Sequence, residues 1–138
     1  MKFEYKVEGG DFSNAGTASS NVKKVLRQLN VDGKLIKRTV VALYEAEVNI
    51  VAHAYRGVIT VNISTSQIEI VLQDSGPGIE NIDQAMEAGY STASEKVREM
   101  GFGAGMGLSN IRKNTDDFSI ESKVGEGTKV QLINYLNK

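Results

Sequence analysis

The chain has 138 residues, no cysteine and one histidine, and 16 basic against 17 acidic side chains leave a net charge of −1. Without cysteine there is no disulfide scaffold, Cys-ligated zinc, iron–sulfur cluster or cysteine nucleophile, and a lone His argues against His-rich metal sites and most Ser-His-Asp triads. A near-neutral balance offers no electrostatic case for bulk nucleic-acid binding, and 138 residues suit one domain, 1–138, able to bury about two-thirds of its unfolded surface.

In chain order, residues 2–8 alternate Phe3, Tyr5 and Val7 with charges, which predicts a half-buried strand and no signal peptide. Val22, Val25, Leu26 and Leu29 form the apolar stripe of a helix over about 14–29. Asp32 is the expected N-cap of a second helix over about 33–54, with a broad apolar face from Ile36 to Val51. Ile59, Val61 and Ile63, then Ile68, Ile70 and Leu72, alternate on either side of Ser64-Thr65-Ser66, the pattern of a hairpin with one wet face. A short helix is expected around 82–87, a long polar loop over about 89–104, a helix opening at Gly105-Met106-Gly107-Leu108, and two closing strands turned by Gly125-Glu126-Gly127. The longest apolar run, Val40 to Tyr44, is far too short to span a bilayer, so a soluble, cytoplasmic protein without membrane contact is expected. Strands that alternate this cleanly want helices on one face. The expected fold is an α+β two-layer sandwich with a mixed, mostly antiparallel sheet and helices on one face.

Nine of the 14 glycines fall between Gly76 and Gly127, which suggests backbone-lined ligand loops. They do not fit a dinucleotide fold. Starting that pattern at Gly101 would need glycine where Met106 stands, and starting it at Gly103 would need glycine where Leu108 stands. Walker-type and eukaryotic-type protein-kinase sequences are absent as well. Four other clusters carry the chemistry. Glu45 and Asn49, with His53 one turn further, share one stripe of the second helix, which either faces a ligand or is a solvated or internally paired polar face. Asp74 ends a strand and is followed by Gly76 and Gly78. A carboxylate beside bare backbone suits a flat ligand with an exocyclic amine, but the segment also reads as a Pro-Gly turn with an Asx bond. Gly103, Gly105 and Gly107 precede a helix, either as a phosphate cradle or as a plain loop. Gly125-x-Gly127-Thr128 alone is a hairpin turn.

Together and in this order, the four clusters resemble the sequence boxes of the GHKL (histidine-kinase-like) ATPase superfamily, whose domain is the Bergerat ATP-binding fold. Glu45, Asn49 and His53 match its N-box, Asp74-x-Gly76-x-Gly78 its first glycine box, Gly103-x-Gly105-x-Gly107-Leu108 the second, and Gly125-x-Gly127-Thr128 the third. Within the superfamily, the chain is too short for the additional domains of topoisomerases, heat-shock chaperones and mismatch-repair proteins. Its only His lies inside the N-box, so no phosphoacceptor His remains for a complete sensor histidine kinase. Glu45 in a free-standing unit resembles the anti-sigma-factor serine/threonine kinases, and Ala85 to Thr92 and Asp116-Asp117-Phe118-Ser119 resemble their stress-pathway switch-kinase relatives. One departure is Gly103-Ala104, where sigma-binding kinases tend to carry a basic residue. Lys96 or Arg98 could replace it, or could be solvated loop charges.

The resemblance implies ATP and Mg²⁺ as cofactors. It implies Asp74 on the adenine amine with Thr128 in support, Asn49 on Mg²⁺ through its amide oxygen, and Glu45 as catalytic base. Gly76, Gly78, Ile79, Gly103, Ala104, Gly105, Met106, Gly107 and Leu108 would line the nucleotide under a lid over about 89–104. His53 would orient the helix end, and Glu47 reads as a surface or packing residue. The implied substrate is a Ser or Thr on a STAS-domain anti-anti-sigma or stressosome-type protein; a sigma factor or phosphatase regulator is a further possible partner, and homodimerisation stays open. The alternatives are a nucleotide-dependent binding module with little kinase activity and the ATP-binding half of a split histidine kinase.

Overall fold

The computed structural model describes residues 1–82, 86 and 107–136. Its elements are β1 (Lys2–Glu8), a 3₁₀ turn (Phe12–Asn14), α1 (Thr17–Gln28), α2 (Gly33–His53), β2 (Arg56–Ile63), β3 (Gln67–Ser75), α3 (Gly107–Lys113), β4 (Asp117–Lys123) and β5 (Gly127–Tyr135). The expected lid over 89–104 and Gly103, Ala104, Gly105 and Met106 of the second glycine box lie outside the described residues, as does most of the short helix expected at 82–87.

The five strands form one sheet in the order β1-β2-β3-β5-β4, and all four pairings are antiparallel rather than mixed. The connections explain this. Two helices follow β1, one leading away and one back, so β2 starts at the end where β1 stops. The run from β3 through α3 sets β4 in the same direction as β3, and β5 then inserts between them. Burial alternates along every strand. Ile59, Val61, Ile63, Ile68, Ile70, Leu72, Val130 and Leu132 face the helices with Leu26, Leu43 and Ile111, while Lys129, Gln73 and Glu69 lie on the other face. Helices therefore cover one face of the sheet, as the alternation requires. Among the described residues no helix is long and apolar enough to cross a membrane.

One helix starts where expected and one does not. Asp32 does occupy the N-cap of α2, but its side chain makes no capping bond; the first helical bond, Ile36 N to Asp32 O at 2.9 Å, is backbone. α1 begins at Thr17, not near Asn14, because Gly16 adopts a left-handed φ of 97° that breaks the helical path.

Candidate functional site

Along α2, Ala46, Val48, Ile50 and Val51 are buried, whereas Glu45, Asn49 and His53 are partly exposed in successive turns. The polar stripe thus lies at the margin of the core, neither fully solvated nor sealed inside. Burial pushes the His53 imidazole below its usual value. Among the described residues the Asn49 amide makes no hydrogen bond, so its oxygen is open to a hard cation. Among the described residues no three His, Asp or Glu side chains cluster there as a protein-only metal cage. One amide oxygen without such a cage fits Mg²⁺ held largely by phosphates and water.

Asp74 has the same pleat phase as Ile68, Ile70 and Leu72, so its side chain leaves β3 on the helical side. Its Oδ1 accepts the Thr128 N–H at 3.1 Å, and no other hydrogen bond reaches the carboxylate among the described residues. Among the described residues Oδ2 is left as a free acceptor. Partial burial raises the Asp74 pKa, and the Thr128 amide opposes that rise.

The first and third glycine boxes clasp each other. Gly76 N donates to Glu126 O at 3.1 Å and Gly125 N to Pro77 O at 2.9 Å. A Cβ at Gly78 would stand 2.5 Å from Lys123 O, and one at Gly127 only 2.0 Å from Asp74 O. Ser122 on β4 joins the two loops. Its Oγ accepts the Ile79 N–H at 2.7 Å, donates to Gly127 O at 3.1 Å, and pairs with Thr128 Oγ1 at 2.8 Å. Asp74, Gly76, Gly78, Ile79 and Thr128 are therefore brought into one cluster.

That cluster meets the end of α2. A Cβ at Gly57, opposite Asp74 in the β2–β3 ladder, would contact Ile50 at 2.9 Å and Asp74 Cβ at 3.3 Å. A Cβ at Gly76 would lie 3.0 Å from Ala54 Cα, and Tyr55 N donates to Ser75 O at 2.8 Å. The turn carrying Asn49 to His53 is thereby fixed over the end of β3. Of the second box, Gly107 opens α3 and Leu108 packs against the core near the fully buried Ile111.

Glu47 is 2% exposed, and its carboxylate accepts four hydrogen bonds from Gly16, Ala18 and Ser19. It is a buried packing position, as one of the two sequence readings has it, but its partners are polar and it is not a surface residue. Sequence reasoning also missed Ser122. The available signal for Glu47 was an acidic residue in a run where both neighbours, Ala46 and Val48, are apolar. Between α1 and α2 opens a groove of about 650 Å³, lined by Gly16, Ser20, Lys23, Val41, Tyr44 and Glu45 among others.

This architecture has known counterparts. A family model of the histidine kinase-like ATPase domain matches residues 11–134. The chain is 33% identical over 130 residues to the serine/threonine-protein kinase RsbT of Bacillus subtilis, covering 91% of this chain and 90% of RsbT. It is 36% identical over 100 residues to an anti-sigma F factor of Thermoanaerobacter sp., covering 69% of this chain and 66% of that protein. Among solved structures, the RsbU and RsbW domains of Rv1364c from Mycobacterium tuberculosis superpose with a TM-score of 0.67 at 15% identity, over 99% of this chain and 32% of that one. The mycobacterial sensor histidine kinase MprB superposes with a TM-score of 0.55, also at 15% identity, over 96% of this chain and 97% of that one. These structural likenesses are of fold. The family match implies ATP use, and the chain belongs to the histidine kinase-like ATPase family.

Proposed function

We propose that this chain is an ATP-dependent serine/threonine protein kinase of the partner-switching type, a single cytoplasmic domain acting on a STAS-domain regulator. The observation that carries this reading is Glu45. It is partly buried, one turn from Asn49 on α2, and it opens into the α1–α2 groove. Similarity to a named serine/threonine kinase over nine-tenths of both chains supports it.

In this reading Asp74 Oδ2 accepts the adenine amine N–H while Oδ1 keeps Thr128, and Gly76, Gly78 and Ile79 leave room for the ring. Gly103, Ala104, Gly105 and Met106, with Gly107 and Leu108 at the start of α3, receive the phosphates. Asn49 would hold Mg²⁺ through its amide oxygen, and the ion would supply charge neutralisation at the phosphates. Glu45 takes the proton of the accepting hydroxyl. That oxygen bonds to the γ-phosphorus, the bond to the β–γ bridging oxygen breaks, and its electron pair leaves on ADP. The new phosphate adds a charge of about −1.5 to −2 to the regulator, enough to switch its partners.

Relatives named anti-sigma F factor favour a second reading, a nucleotide-dependent module that holds a sigma factor with little transfer. The experiment is transfer of labelled γ-phosphate from Mg-ATP to purified STAS-domain proteins of the same organism, with Glu45→Ala and Asp74→Ala as controls. Acid-stable label lost in both variants is expected. Glu45→Ala should lower transfer by about 10²–10⁴-fold and leave nucleotide binding in place. Nucleotide binding without label on any STAS protein would favour the binding module.

A further inference from the structure

Glu45 and Glu47 stand two residues apart on α2, about 200° around the helix axis, and meet opposite surroundings. Glu45 opens into the groove, whereas Glu47 is sealed in. Burying a carboxylate is costly unless its lone pairs are filled. Here Glu47 Oε2 accepts Gly16 N at 3.0 Å and Ala18 N at 3.2 Å, and Oε1 accepts Ser19 N at 3.1 Å and Ser19 Oγ at 2.7 Å. The opening amides of α1 have no cap of their own, because Gly16 at the N-cap has no side chain. Their cap comes from another helix, 28–31 residues along the chain.

The tie has a geometric consequence. Gly16, Thr17, Ser19 and Ser20 form one wall of the groove, and Val40, Val41, Tyr44 and Glu45 form the other. At Gly16 the walls nearly touch, since a Cβ there would lie 3.2 Å from the Tyr44 ring. Glu47 bridges the two walls from beneath. We infer that Glu47 is a positioning residue for phosphoryl transfer: it holds the first turn of α1 against α2 and so sets the groove through which the accepting Ser or Thr reaches Glu45. This rests on the kinase reading. Transfer is sensitive to such placement, since a displacement of about 1 Å can lower a rate by about 10²-fold.

Glu47→Gln tests the inference. Its amide nitrogen brings donors to face the N–H groups of Gly16 and Ala18 or the N–H of Ser19, so one end of the tie must open. With a STAS-domain protein that wild type labels as acceptor, KM for that protein should rise about ten-fold or more, while the ATP dissociation constant stays within about two-fold. Amide exchange at Gly16, Ala18 and Ser19 should accelerate. Ser19→Ala, which removes only the hydroxyl bond, should move KM the same way by a smaller factor, and it carries the test if Glu47→Gln does not fold. Wild-type KM in the folded variants, even with a lower melting temperature, overturns the inference and leaves the kinase reading intact. Equal weakening of ATP and acceptor marks a merely structural role and also overturns it. Failure of wild type to label any STAS protein overturns the kinase reading and this inference with it.

Discussion

Asp74→Asn separates recognition from folding at the proposed adenine site. In the wild type Oδ1 is occupied by the Thr128 N–H at 3.1 Å and Oδ2 has no partner among the described residues. In the variant the Thr128 amide still requires an acceptor, so the side-chain oxygen stays at that position and the NH₂ group takes the place of Oδ2. The amide cannot flip without setting two donors against each other. An adenine amine would then meet donors where it had met an anionic acceptor. A hydrogen bond to a charged group is worth about 1.5–3 kcal/mol, which at about 1.4 kcal/mol per decade is roughly a 10–150-fold loss of affinity. Stability should move the other way or stay level. Burial raises the Asp74 pKa, so the ionised form is less favourable in the folded chain than in the unfolded one. That penalty develops as pH rises from the ordinary carboxylate range through the raised folded value, and it is complete above that value. The neutral amide removes it. The assay is calorimetric titration with a non-hydrolysable ATP analogue beside a thermal melt at pH 7. A melting temperature at or above wild type with at least a ten-fold weaker dissociation constant is expected. Unchanged affinity would remove Asp74 from adenine recognition, and a collapse in melting temperature would show its carboxylate to be a structural tie instead.

Two further expectations concern the ends of the same elements. Gly127→Ala would place a Cβ 2.0 Å from Asp74 O at a φ of 151°, an overlap that typically costs about 1–3 kcal/mol; at about 4 °C per kcal/mol the melting temperature should fall by roughly 4–12 °C. Gly125→Ala, with open space around its Cβ position, should lose less, and equal losses would refute the contact argument. For His53, burial lowers the folded pKa below 6.5, so its contribution to stability is present above that value and is lost as pH falls through it toward the folded pKa. Melting temperatures between about pH 7.5 and 5 should fall less steeply in His53→Gln, and an identical slope would contradict this.

The parts of the fold legible in the sequence are those governed by local period. Phe3, Tyr5 and Val7, and the Ile59 to Leu72 alternation, locate β1, β2 and β3, because one buried face imposes a two-residue repeat. The long apolar face of α2 likewise gives its extent to within one residue. Strand order is not local. Nothing in the pattern of β5 says that it inserts between β3 and β4, since its register with β3 pairs Leu72 with Val130 across the whole intervening chain. The site divides the same way. Asp74 and Asn49 stand out as polar groups at the margins of apolar elements. Glu47 and Ser122 do not, because much of their bonding is to backbone amides distant in sequence, and a backbone partner leaves no residue-type signature.

The same distinction changes what the glycine boxes mean. At Gly76, Gly78 and Gly127 a Cβ would meet backbone atoms of Ala54, Lys123 and Asp74 at 3.0, 2.5 and 2.0 Å. Glycine is required at Gly78 and Gly127 by the packing of the chain on itself, with or without a nucleotide, and at Gly76 the same packing leaves little room. Their presence is therefore not in itself a mark of a ligand cradle. What points to a ligand is what the packing leaves over: one carboxylate oxygen of Asp74 and the whole amide of Asn49, both at the edge of the core and both without a protein partner among the described residues. The glycines explain how β3, the β4–β5 turn and the end of α2 come close enough to hold those two groups. Asp74 and Asn49 are where substitutions should separate binding from folding, whereas substitution at Gly78 or Gly127 should damage both together.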